Sequence, residues 1–83
     1  MTTVDAIKSC LASLEPEFLE VEDEGHLHVG HAGARQGGHF RVKISSSRLT
    51  GSRLDQHRTI YALLDVLIAQ KKIHALRLDL LNF

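Results

Sequence analysis

The chain has 83 residues, 43% of them hydrophobic, and its ten Lys and Arg balance ten Asp and Glu. That length supports a single domain, residues 1–83, around a small core, and zero net charge excludes a global field drawing the chain to nucleic acid or membrane. One cysteine, Cys10, excludes an internal disulfide or a Cys-based zinc site within one chain.

At the N-terminus, MTTVDAIKSCLASL lacks the basic start and apolar run of a secretion signal. No apolar segment approaches the roughly 20 residues that span a bilayer. A cytoplasmic protein without a membrane partner is therefore expected. Val4, Ile7, Leu11 and Leu14 recur at helical spacing, with Thr2 or Thr3 to cap the helix and Pro16 to stop it. From Phe18 the period becomes two: Leu19 and Val21 alternate with Glu20 and Glu22, as in a strand with one wet face. After a glycine-rich segment, HFRVKIS puts Phe40, Val42 and Ile44 on one face and Arg41 and Lys43 on the other. The two strands form an antiparallel hairpin with a long loop.

SSSRLTGSRLDQ is polar and reads as loop or turn. A second helix is expected from Leu54 to Gln70, with Leu54, Ile60, Tyr61, Leu64, Leu67 and Ile68 as its apolar face, and Lys71 and Lys72 where a helix C-terminus favours cations. IHALRLDLL alternates again. His74 shares the parity of Leu76, Leu78 and Leu80, which predicts it on the packed side of the last strand. A helix between the second and third strands permits a parallel crossover. The expected fold class is a small α/β sandwich, a three-stranded mixed sheet with helices on one face.

Charge is uneven along the chain. Glu15 to Glu24 holds six carboxylates and no cation, whereas Arg35 to Arg58 holds six cations (Arg35, Arg41, Lys43, Arg48, Arg53, Arg58) and only Asp55. This predicts one acidic end and one basic surface. The basic surface is the argument for nucleic acid, with Lys43, Arg48, Arg53, His57 and Arg58 as phosphate contacts. Ordinary solvated helix residues are the plain alternative.

Residues 25–39, GHLHVGHAGARQGGH, carry four of six histidines and five of six glycines. His26 and His28 form an HxH pair, and His28 and His31 an HxxH pair. Neutral imidazoles on a pliable loop can converge on one metal ion, zinc or copper included, although structural zinc sites need four ligands, usually with thiolates. The competing reading is a solvated loop, with His39 at the surface or sheet edge and His74 a satisfied, partly buried residue. GHAG matches the letters of a KH-type GxxG loop, but it joins two strands here rather than two helices. No serine elbow or reactive-cysteine setting is present, so no catalysis is expected.

LEVEDEGHLHVGHAGA, HFRVKISSSRLTGSRLDQHRTIYALL and IHALRLDLL, in that order, resemble the BolA family over about Leu19 to Leu80. This chain departs from the family pattern at Leu49-Thr50, where an aromatic precedes the family's glycine, at Gln56, the first arginine of an RHR motif, and at Gly37-Gly38. The resemblance implies an αββααβ fold similar to a class II KH domain, with an extra helical turn near Ser47 to Ser52. It also implies pairing with a monothiol glutaredoxin around a [2Fe–2S] cluster that glutathione helps to hold, in cluster assembly, trafficking, iron or redox sensing, or stress response. The cluster ligands carried over are His74 and one of His28 or His31. Alone, such a chain is expected to be a monomer or weak homodimer. Imidazole in place of thiolate leaves a cluster less negative and raises its potential, as in Rieske centres. The resemblance further implies a second role, transcriptional regulation through DNA.

Overall fold

The computed structural model describes residues 2–25 and 38–81. Helix α1, Thr3–Leu11, starts on a reciprocal cap: Asp5 N–H donates to Thr2 Oγ1 (3.1 Å), and Thr2 N–H donates to Asp5 Oδ2 (3.3 Å). Ile7 and Leu11 are fully buried. The helix tightens into a 3-10 turn, Ala12–Leu14, and Glu15 then takes a left-handed backbone (φ 44°) just before Pro16. The stop expected at Pro16 is thus reached in two stages.

Strand β1, Phe18–Asp23, pairs antiparallel with β2, Gly38–Ser45, with Val21 opposite Val42 and Asp23 opposite Phe40. Strand β3, Ile73–Leu80, lies parallel to β2 on its other side, giving the order β1-β2-β3. A parallel neighbour needs a crossover. It is supplied by α2, Arg53–Leu63, and α3, Asp65–Ala69. The mixed three-stranded sheet and its helices are those the alternation predicts.

The single helix expected from Leu54 to Gln70 is instead two, broken at Leu64 (φ −96°, ψ 2°). Ile60, Leu64 and Leu67 reach the core from both sides of the break. Leu54 (57%) and Tyr61 (42%) are exposed, not packed as their spacing implied, because the buried stripe of α2 runs through Gln56 and Ile60. The two consecutive helices of the αββααβ order are therefore α2 and α3. Ser47 to Ser52 forms no helix; Leu49 N–H donates to the Ser46 carbonyl (3.1 Å), closing a turn.

Helices cover one face of the sheet. Phe40, Val42 and Ile44 meet Ile7, Leu11, Leu14, Leu49, Ile60, Leu64, Leu67 and Ile73 in one buried cluster. Among the described residues, no helix is long and apolar enough to cross a membrane.

The other face carries charge, arranged in opposite pairs. Arg41 places Nη2 2.6 Å and Nε 2.8 Å from Asp79 Oδ2. Lys43 lies 3.6 Å from Glu20, and Arg77 3.6 Å from Glu24. The acidic run of β1 is laid against the basic run of β2 by the pairing itself. The expected acidic end and basic surface therefore do not form: much of the contrast cancels across the sheet.

Candidate functional site

The site lies where β2 and β3 begin. Gly38 pairs with Ile73, but the next pair is His39 with Ala75, so His74 is an extra residue in β3. Such a bulge reverses the parity of the strand and re-aims one side chain. Ile73 is buried, and Leu76, Leu78 and Leu80 pack on the core from the same side, while His74 is exposed. The expected packed position of His74 is thus overturned. Its parity with the leucines fails because the strand is not regular at that point.

Exposure brings His74 to His39. The ring centroids are 5.3 Å apart and the planes are tilted by 52°. His39 is half-buried, and its carbonyl accepts the Glu24 N–H at 2.7 Å. Gly38 N–H donates to the Lys72 carbonyl (3.1 Å), tying the two strand starts together. On the β1 side, Gly25 N–H donates to Asp23 Oδ1 (2.8 Å). The described chain therefore leaves at Gly25 and returns at Gly38, both beside this histidine pair. His28 and His31, the loop ligands expected from sequence, lie outside the described residues, as does His26.

Two imidazoles suit iron or another borderline metal as donors. Among the described residues, no group of three or more His, Cys, Asp or Glu is placed to hold a metal ion. Cys10 is half-buried against the core from α1. The donor set thus fits a site that other ligands complete, and it does not fit a closed four-ligand site built from the described residues. His39 is the residue that sequence reading left at the surface. Its place follows from the bulge in β3, which no spacing within β2 reveals.

The five candidate phosphate contacts are divided by the fold. Lys43 stands on the open face of the sheet with Glu20. Arg48 lies 2.7 Å from Glu15 and donates to the Ser13 carbonyl at 3.5 Å. Arg53, His57 and Arg58 lie within the first six residues of α2, Arg53 and Arg58 exposed and without an ion pair among the described residues. The sheet lies between that group and Lys43. Three of the five thus share the first turns of α2, with Arg48, on the segment before it, ion-paired to Glu15.

A small α/β domain with a mixed sheet, helices on one face and a histidine pair at the strand starts, His74 exposed and His39 half-buried, defines the class of protein. The family model for BolA-like proteins matches residues 11–82. The chain belongs to the BolA family. It is 43% identical over 68 residues to the DNA-binding transcriptional regulator BolA of Escherichia coli, covering 81% of this chain and 62% of that protein. It is 41% identical over 69 residues to a BolA-like protein of Caenorhabditis elegans, covering 82% of this chain and 61% of the relative. The chain thus spans about three fifths of the length of these relatives. The BolA domain of SufE1 from Arabidopsis thaliana superposes with a TM-score of 0.81 at 33% identity, over 99% of this chain and 93% of that one. The solution structure of mouse BolA1 gives 0.73 at 34% identity, over 95% and 63%.

Proposed function

We propose that this chain is a non-enzymatic adaptor that contributes histidine ligands to a [2Fe–2S] cluster shared with a monothiol glutaredoxin and glutathione. The observation that supports it is the pairing of exposed His74 with half-buried His39, at the corner where the described chain leaves at Gly25 and returns at Gly38. His74 is the ligand assigned to this chain, with a loop histidine, His31 or His28, as the second. The described donors are too few for a cluster alone, which makes a partner part of the proposal.

The test is to mix the chain with a monothiol glutaredoxin, iron, sulfide and glutathione, and to record visible absorption and circular dichroism. A 1:1 complex with a spectrum distinct from that of the glutaredoxin homodimer is expected, and His74→Ala should remove the distinction. An unchanged spectrum in that variant rejects the proposal. Metal analysis of the chain purified without a partner checks the mononuclear zinc or copper alternative.

A second reading, binding of DNA, is favoured by the name of the Escherichia coli relative and by exposed Arg53 and Arg58 of α2, which have no ion pair among the described residues. Phosphate-driven binding must weaken steeply with added salt. In the same preparation, Arg58→Ala should weaken DNA binding with or without iron.

A further inference from the structure

Among the described residues the sheet has two edges with no strand beside them, and they differ in kind. β1 carries Glu20, Glu22 and Asp23, so a second β1 laid against it would set carboxylates near carboxylates. That edge is protected by like charge. β3 is eight residues long, and its stretch Leu76–Leu80 has one cation, Arg77, and one anion, Asp79.

Leu81 donates its N–H to the Ile44 carbonyl of β2 (2.8 Å). Backbone groups alternate along a strand, so Leu76, Leu78 and Leu80 turn their N–H and C=O groups away from β2. Among the described residues, no backbone hydrogen bond from another element reaches them. Their side chains remain only half-buried against the core.

We propose that β3 pairs antiparallel with β3 of a second copy of this chain, forming a two-fold dimer with a continuous six-stranded sheet. Charge fixes the register. With Leu78 opposite Leu78 of the other copy, Leu76 faces Leu80 and Arg77 faces Asp79, twice by symmetry. The outward backbone groups of the three leucines then form the hydrogen-bonded pairs. Arg77 and Asp79 fall in the closer, non-hydrogen-bonded pairs, with Cα atoms about 4.5 Å apart. Sliding the strands by two residues sets Arg77 against Arg77 or Asp79 against Asp79, which opposes pairing. Asp79 is equipped for two partners: both Arg41 contacts use Oδ2, leaving Oδ1 for the second copy. Arg77 touches Glu24 through Nη1 alone, at 3.6 Å. His74 lies outside the paired stretch, so the dimer stands or falls independently of the cluster proposal.

Sedimentation equilibrium of the chain alone is the test. The mass should rise with concentration from 9.2 kDa towards two copies and stop there. Arg77→Asp and Asp79→Arg, each folded by circular dichroism, should each weaken the dimer about tenfold or more, since both cross-strand pairs become like-charged. An equimolar mixture of the two variants should restore it, because every Asp then faces an Arg. In the unmodified chain, amide exchange at Leu76, Leu78 and Leu80 should slow as concentration rises, a readout that needs no variant. A monomer throughout, growth beyond two copies, dimers indifferent to both variants, or a mixture that stays monomeric would each overturn the inference.

Discussion

Gly38 has no room for a side chain. A Cβ there would lie 2.6 Å from Cζ of the Phe40 ring, which is itself 4% exposed and fixed in the core. The ring folds back over the glycine two residues before it and seals the end of the sheet beside the histidine pair. Gly38→Ala should therefore push Phe40 out of its packing and destabilise the domain by about 1–3 kcal/mol. Urea unfolding reads this directly, and a loss below a few tenths would mean that the ring moves freely. Sequence marked Gly38 only as a departure from the family pattern. The alternation of Phe40, Val42 and Ile44 was legible because a regular strand converts spacing into side. His74 was not, because one extra residue in β3 reverses that conversion. Gln56 was equally hidden: it is buried, donates from Nε2 to the Gly51 carbonyl (3.1 Å), and has no partner at Oε1 among the described residues.

At the scale of elements, periodicity located every strand and both helical regions, and capping chemistry located the start of the first helix, while the cap of the second was missed. Ser52 begins α2 as Thr2 begins α1, each exchanging hydrogen bonds with an aspartate three residues on. Ends were less legible. The break at Leu64 falls within an unbroken apolar pattern, since Ile60, Leu64 and Leu67 suit a continuous helix as well as two short ones. The close of α3 was read from charge alone, through Lys71 and Lys72. The fold adds a backbone reason. Lys71 N–H donates to the Ile68 carbonyl and Lys72 N–H to that of Leu67, with Lys71 left-handed at φ 60°. This is the Schellman arrangement, whose left-handed position favours glycine. A lysine there carries a steric cost that glycine avoids, offset in part by glycine's freedom in the unfolded chain. Lys71→Gly is expected to stabilise the protein by about 0.5–1 kcal/mol, measured as a higher urea midpoint at unchanged slope. A lower midpoint would show that the charge at the helix end outweighs the backbone term.

For the whole molecule, the balance of ten charges of each sign acquires meaning only after folding. The acidic and basic runs are far apart in sequence, so charge counting predicted a polarised surface, whereas strand pairing set them side by side. Hydrogen bonds and charges around three carboxylates give stability a direction in pH. The Asp5 carboxyl is held below its ordinary range, first by the Thr2 backbone N–H and then by the Thr2 hydroxyl. Glu17 is lowered by its own backbone N–H and by Ser47, and Glu20 by hydrogen bonding with Glu22 and by the Lys43 ammonium. In each case the folded value lies below the unfolded one, so the unfolded chain takes up protons first as pH falls. The stabilisation is complete above the unfolded values of about 4 and disappears as pH drops through the lower folded values. Thermal midpoints should accordingly show no loss from these three groups between about pH 7 and 5, and a loss from them below about pH 4. Asp5→Asn isolates one contributor. Its midpoint should lie below that of the unmodified protein near neutrality, and the gap should close in acid, where Asp5 is protonated and no longer differs in charge. A gap of constant size across that range would show that Asp5 acts through shape alone and that its charge at the start of α1 contributes nothing.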